Sequence, residues 1–335
     1  MAAQDRSLYE IFEIRSNDGQ KVVDLIGGVV SFSYFENVLS PMITAQVIIS
    51  NTGNTVVDGE GEIASIYNGL PINGGEKVSI KIPPTGDGPG LEFTEKNDNE
   101  LYVGSITNVL IDEQRESFIL NLVSREAITN ETVRVGKKFP SSEKISDSIR
   151  EIIKDYLKSD KDIDADPTQN PYGFIGNLRK PFYLLTWLAS KSVPAEVGGE
   201  SSTAGYFFYE TKDGYHFRSV DSLIREDPFE VEYTYSPGIV DNEDPKKDYK
   251  ILEYSTTRNQ KLIQNLQRGA FCSYRMYFNP VQSTFTTPEQ AVFKVSDYAK
   301  RMENLGKDFE ILLPPVDKNN ESLGNVPSRY MTGVL

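Results

Sequence analysis

LYVGSITNVLIDEQRESFILNLVSREAITNETVRVGKKF, residues 101–139, decides how the rest of the chain reads. Its first eleven residues, Leu101–Ile111, are rich in β-branched and apolar side chains, as a strand requires. The polar run Asp112-Glu113-Gln114-Arg115-Glu116 has the chemistry of a turn. Ser117–Ser124 then returns with Phe118, Leu120 and Leu122 at period two, which puts all three on one face. The stretch is therefore a β-hairpin. From Arg125 to Asn130 the alternation breaks, and a short polar helix is expected as the chain leaves the sheet. A β-rich region ends here and a helical one begins.

Upstream, Tyr9–Ile14 (YEIFEI) alternates and ends at Asn17-Asp18-Gly19, a hairpin turn. Lys21–Ile26 and Val29–Tyr34 are expected as strands about a kink at Gly27-Gly28, and Pro41–Ser50 (PMITAQVIIS) as another. Gly53, Gly59 and Gly61 mark a loop between Asn51 and Tyr67. The glycines between Gly69 and Gly75 allow the positive φ of a tight turn, from which Lys77–Ile82 leaves as a strand. Pro83–Asn99 reads as a long surface loop. Seven or eight strands result, enough for a small barrel or sandwich.

Beyond Phe139-Pro140 the period lengthens. Ile145, Ile149, Ile152, Ile153, Tyr156 and Leu157 recur at helical spacing, with Ser141 as the cap of an amphipathic helix. Ser159–Gly176 reads as a polar linker. Pro181 opens a second helix that packs Leu184, Leu185, Trp187 and Leu188. Tyr206–Glu210 and Tyr215–Val220 make a second hairpin across Thr211-Lys212-Asp213-Gly214. Phe229–Tyr235 alternates as a half-buried strand, and the acidic run Asp241–Asp248 marks a boundary. A helix near Asn259–Gln267 and an aromatic strand at Ala270–Phe278 follow. Thr287-Pro288-Glu289 starts a helix toward Met302, contested by the strand-forming Val292, Phe293 and Val295. Arg329–Leu335 reads as the beginning of a strand.

A chain of 335 residues, 38% apolar and 25% charged, has the composition of a globular protein of two or more domains. Its apolar runs, such as Ile26–Val30, fall far short of the roughly 20 residues of a membrane span. Met1–Ser7 (MAAQDRS) lacks the pattern of a secretory leader. Thirty-five basic against 49 acidic residues leave a net charge of −14, which disfavours capture of nucleic acid. An acidic wall does suit a channel that DNA slides through, because like charge repels phosphate. Acidity by itself signals no more than solubility.

Candidate chemistry is sparse. Cys272 is the only cysteine, so an intramolecular disulfide and a cysteine zinc site are excluded, and it reads as a small buried apolar residue. His216 is the only histidine and lies inside a strand, where a packed or surface-facing role outweighs catalysis. Trp187 reads as core. Gly86, Gly88 and Gly90 alternate, but Asp87 and Pro89 interrupt them and no helix follows, so they do not cradle phosphate. Asp160, Asp162, Asp164 and Asp166 alternate as in a calcium loop. Ala165 and Pro171 stand where such a loop needs Gly and Glu, so a solvated loop is the reading. A glycosidase pair needs one acid in an apolar cleft, and the acids here fall mainly on polar faces or in loops. No catalytic, cofactor-binding or metal-ligating residue is assigned, no cofactor is implied, and the chain reads as a non-enzyme.

The ordered series PMITAQVIISNTGN, GLPINGGEKVSI, LYVGSITNVL…FILNLVS and VRVGKKFPSSEKISDSIREII resembles the baseplate central hub protein of T-even-like contractile-tailed phages. NLRKPFYLLTWLASK, GYFFYETKDGYHFRSVDSLI and VPSRYMTGVL fit the same layout, so the likeness spans most of the chain. None of these is a catalytic motif. The resemblance implies an α+β, β-rich fold of tail-tube-like β-barrel domains with inserted α/β segments. Residues 1–124 would form the first barrel, 125–204 a helical insert, 205–238 the opening strands of a second barrel and 239–335 a second insert. Family members return to the second barrel after a stretch like VPSRYMTGVL, whereas here the sequence stops. The resemblance further implies a homotrimer in the virion's tail baseplate, adapting the six-fold tail tube to the three-fold central spike and lining the DNA channel. Its partners would be the tail tube protein or a tube-terminating baseplate protein, the spike, and wedge or inner baseplate proteins, with no membrane span. Alternatives are a carboxylate-dependent cell-wall or polysaccharide hydrolase, and a spike-base adaptor of a related contractile injection system.

Overall fold

The computed structural model describes residues 8–52, 56–57, 63–70, 72–84, 90–97, 99–112, 115–195, 205–228, 232–236, 249–251, 253–257, 261–297 and 314–334. Their contacts group into two units. The first comprises Met1–Ser192, Tyr206–Arg218 and Phe229–Glu253; the second comprises Val193–Gly205, Ser219–Pro228 and Tyr254–Leu335.

The first unit begins with an antiparallel sheet. β1 (Ile11–Arg15) turns at Asn17–Gly19 into β2 (Val22–Asp24), and a 3-10 turn at Ile26–Gly28 leads to β3 (Val29–Phe35) and β4 (Thr44–Thr52). β5 (Val56–Val57) and β6 (Ile63–Ala64) pair with each other ahead of the single turn α1 (Ile66–Gly69). β7 (Lys77–Ile82), β8 (Leu91–Phe93), β9 (Leu101–Ile111) and β10 (Arg115–Ser124) complete the sheet. The strand order is β2-β1-β7-β9-β10-β4-β3, with β8 on β7.

Strand twist and one continuous apolar face curl this sheet into a half-barrel. Phe12 of β1 and Phe32 of β3 stand near opposite ends of the strand order, yet their rings meet edge to face at 5.8 Å. Tyr34 of β3 likewise meets Phe93 of β8 at 5.3 Å. Inside the curl lie Phe12, Ile14, Val47, Ile49, Val78, Ile80, Phe118, Leu120 and Leu122, all buried. Removing each of these from water contributes about 1.5–3 kcal/mol, so the period-two faces of β1, β4, β7 and β10 together hold the curl.

The chain then leaves the sheet through α2 (Arg125–Thr132) and β11 (Lys138–Phe139). α3 (Ile145–Glu151) runs on into a π-helical turn, Ile152–Tyr156, and β12 (Ile163–Ala165) and β13 (Phe174–Ile175) precede α4 (Pro181–Ala189). β14 (Tyr206–Thr211) and β15 (Gly214–Ser219) form a hairpin that adds β12 in parallel, giving the order β12-β15-β14. A second core gathers Ile145, Ile149, Ile152, Ile153, Leu157, Leu184, Leu185, Leu188, Tyr215 and Phe217.

α5 (Val220–Arg225) belongs to the second unit and is capped by the Ser219 hydroxyl, which accepts from Ser222 N–H at 3.1 Å. In the first unit β16 (Thr234–Tyr235) and β17 (Lys250–Ile251) pair in parallel. The second unit continues with α6 (Leu262–Arg268), β18 (Cys272–Asn279), β19 (Thr284–Phe285), α7 (Pro288–Ala291), β20 (Val292–Lys294) and β21 (Arg329–Val334). β18 pairs antiparallel with β19 and β20, and parallel with β21 along its other edge.

Several expectations change. Ser141 does not cap α3; Lys144 stands at that position and offers no side-chain bond. The supposed linker 159–176 contains β12 and β13, because Ile163 and Ala165 find a parallel partner in β15 that the sequence does not advertise. The loop 83–99 carries β8 and a 3-10 turn at Glu95–Asn97. The weak stretch 51–67 contains the β5–β6 pair and the start of α1. The helix from Thr287 stops at Ala291, where β-branched Val292 turns the chain into β20 against Ser273 and Tyr274. The glycines at 86, 88, 53, 59 and 61, Phe229–Val231 and the acidic run 241–248 lie outside the described residues.

Candidate functional site

Period two on the inward faces of the strands places acids as well as apolar groups inside. Glu76, Glu116 and Glu210 stand in phase with Val78, Phe118 and Phe208 respectively, and all three are buried. Each accepts hydrogen bonds from residues outside its own strand. Glu76 takes Asn73 N–H at 2.8 Å and Asn17 Nδ2 at 3.0 Å. Glu116 takes Ile66 N–H at 2.7 Å, Tyr67 N–H at 3.2 Å and Asn51 Nδ2 at 3.1 Å. Glu76 thus pins a loop, and Glu116 the start of α1, to the sheet, and satisfied donors are what make their burial tolerable.

Glu210 does more, because it joins the sheet to the helices and strands that follow β10. Its Oε2 accepts Ile43 N–H at 3.0 Å, just ahead of β4, and Ser124 Oγ–H at 2.8 Å, at the end of β10. Its Oε1 accepts Lys161 Nζ at 2.6 Å. The same ammonium donates to Glu126 Oε2 at 2.9 Å, and Ser159 Oγ–H donates to Glu126 Oε1 at 2.7 Å. Both carboxylates are fully buried, while Lys161 keeps a small exposed fraction. Burial alone would raise Glu126, but the Lys161 charge and the two hydrogen bonds outweigh it and hold the carboxyl below its ordinary value. Burial would lower Lys161, and the two glutamates overcome it and hold the amine up. At Glu210 burial wins over Lys161, the Glu126 charge adds to it, and the carboxyl is raised.

β15 supplies the wall of this cluster. Gly214 sits at φ +133°, and a Cβ there would come within 2.4 Å of Asp162 O. That close approach brings Tyr215 N–H onto Asp162 O at 2.8 Å and sets Lys161 Nζ 5.9 Å from the Tyr215 ring centroid. Burial keeps the Tyr215 hydroxyl well above its ordinary value.

The residues singled out by sequence are placed as follows. His216 lies on β15 with its ring stacked on Tyr209 at 4.9 Å, Nε2 2.8 Å from Thr211 Oγ1 and Nδ1 3.5 Å from Asp164 Oδ2. Asp164 and Asp166 both bind Arg218, at 2.8 and 3.3 Å, across the parallel β12–β15 pair. Two of the four alternating aspartates thus meet a guanidinium, and among the described residues no group of three acids, histidines or cysteines is arranged to hold a metal. Trp187 is half-buried, edge-on to Tyr172 and Phe174. Cys272 is buried at the start of β18. No described helix is long and apolar enough to cross a membrane.

Two open clefts lie beside Lys161. One of about 400 Å³ is lined by Glu92, Asn97, Asn99, Asp162 and Lys212 among others; one of about 590 Å³ is lined by Arg150, Lys154, Lys158 and Asp162. Neither Glu126 nor Glu210 lines either cleft. A hydrolytic carboxylate pair has to flank bound substrate, and this pair grips a lysine instead. Sequence reasoning missed the cluster, although the signal was present: Glu210 falls at period two behind Tyr206 and Phe208, on a face that should carry no charge.

No protein-family model matches the chain, and no curated protein matches its sequence. Among solved structures it is similar to the 43 kDa tail protein of prophage MuSo2 from Shewanella oneidensis, at 11% identity and a TM-score of 0.43, over 68% of this chain and 58% of that one. A tail protein from Neisseria meningitidis is similar at 11% identity and TM-score 0.47, over 97% of this chain and 71% of that one. A chain of the Francisella PdpA–VgrG complex is similar at 9% identity and TM-score 0.45, over 97% of this chain and 39% of that one. The chain thus spans 58% of the length of the first of these.

Proposed function

We propose that this chain is a structural subunit of a phage-type tail, a baseplate hub that assembles as a trimeric ring between a six-fold tube and a three-fold spike. The observation that carries the proposal is the free edge of β9. β7 pairs with β9 only at Leu101 and Tyr102, so Gly104–Ile111 has β10 on one side and no described strand on the other. Val109, Leu110 and Ile111 are 36%, 70% and 49% exposed on that stretch. A long apolar edge of this kind pairs with another chain or aggregates, and a ring of barrels covers it with the neighbouring copy. A specific ring contact would bury more than about 1,000 Å².

In this reading residues 1–124 are the barrel that meets its neighbour and 125–204 the insert that begins the outer layer. The place of 205–238 in a second barrel has to accommodate the pairing of β15 with β12. The tail tube protein, the spike and inner baseplate proteins are the partners, and the net acidity keeps passing DNA from sticking. Mass photometry of the full chain is the test. A trimer at micromolar concentration is the expected result, and a monomer at all concentrations, alone and with a spike protein, would sink the reading.

A further inference from the structure

The cluster of Glu126, Lys161 and Glu210 is unbalanced: two carboxylates withdrawn from water share one ammonium, which is itself only slightly exposed. Arg125 lies 3.4 Å from Glu126, but it is one-third exposed and also donates to Lys158 O at 3.2 Å. It relieves Glu126 from the surface and leaves Glu210 with a shared lysine only. The other groups facing Glu210 are Tyr215 from β15 and Tyr34 from β3, whose hydroxyl donates to Glu36 at 2.6 Å. Neither tyrosine brings a positive charge. One more polar atom stands at the cluster: Tyr215 Oη is buried beside the Ser124 hydroxyl.

We propose that this cluster is a proton-binding site, in which Glu126 and Glu210 together take up one proton on mild acidification and the proton resides on Glu210. The bond formed is an O–H on Glu210 Oε2, with the proton supplied by solvent. That O–H then donates to Ser124 Oγ, and the Ser124 hydroxyl, which until then donates to Glu210, turns toward Tyr215 Oη. Ile43 N–H and Lys161 keep their acceptors on the same carboxyl. The cluster passes from one net negative charge to none without opening the joint between sheet and insert. Acid therefore tightens this joint.

The sign follows from linkage. Burial and the Glu126 charge raise Glu210, so the folded chain binds this proton more tightly than the unfolded chain does. A destabilising contribution present above the raised value disappears as pH falls toward the ordinary carboxylate range. Urea denaturation of the full chain and of Glu210→Gln, from pH 8 to pH 4.5, reads this directly. Glu210→Gln should match or exceed the parent at pH 8. The ratio of folding constants, parent over variant, should then rise toward acid by up to about tenfold per pH unit within the window. Infrared spectra should show a protonated-carboxyl carbonyl band in the parent at a pH where exposed carboxyls are ionised, and Glu210→Gln should lack it. In Glu126→Gln the cluster is already balanced, so the band should appear only at lower pH. A ratio flat with pH, a band that survives Glu210→Gln, a band unmoved by Glu126→Gln, or a Glu210→Gln chain unable to fold at pH 8 would each overturn the proposal.

Discussion

The two halves of the hairpin β9–β10 are continuous in sequence and opposite in environment. Near the base, Leu101 and Val103 face Leu122 and Ser124 with every inward side chain buried, and β7 closes the sheet. Past Gly104, β9 loses β7 and a bulge at Asn108, with φ +53°, re-aims the strand. From there Val109, Leu110 and Ile111 stand exposed although they are as apolar as the residues at the base. The difference teaches that hydrophobicity alone does not decide what this strand does. The number of neighbouring strands does. The base serves folding, and the tip leaves apolar surface that no described strand covers.

The largest effect that could break this contrast lies at the base. Phe118 is buried on the core face of β10 and its ring meets Tyr67 of α1 at 6.0 Å, so Phe118→Ala opens a cavity in the core of the curled sheet. We expect a loss of about 3–5 kcal/mol by urea denaturation. A loss below about 1 kcal/mol would mean that the hairpin base does not hold the curl.

Lys161→Met comes next and tests whether the segment after β10 is joined to the sheet by charge. It leaves Glu126 and Glu210 buried without their cation, a change of about 3–5 kcal/mol for a broken buried pair. The loss should shrink as pH falls, because protonation removes the stranded charges. A pH-independent loss would assign the effect to packing instead.

Gly214→Ala is smaller and contrasts the second hairpin with the first. The β14–β15 turn is closed against Asp162 O, and a Cβ has no room there. Strain at this φ costs about 1–3 kcal/mol. A neutral substitution would show that β12 can move away from β15.

These elements were unequally legible in the sequence. The strands of the first sheet could be read because their apolar residues alternate, and the amphipathic Ile145–Leu157 segment because its isoleucines follow a helical period. β12 could not: Ile163-Asp164-Ala165 is three residues long, and its partner lies fifty residues further on. Such pairing is set by tertiary packing, which local composition does not encode. The charge cluster was half legible. Glu210 betrays itself by its phase in β14, whereas Lys161 lies in an irregular segment where no period points inward.

The smallest effect on folding belongs to the tip. Leu110 is mostly exposed and opposes Ser117, so Leu110→Lys should change stability by no more than about 0.5 kcal/mol. Its effect on assembly should be large if the free edge of β9 meets a second copy. A lysine on an edge strand is a recognised way of blocking strand addition, because pairing would strip its charge of water. Mass photometry should then find the variant shifted to monomer while circular dichroism stays that of the parent. If instead the variant assembles as the parent does, the apolar tip is a solvated arm, and the contrast between the two halves of the hairpin carries no function.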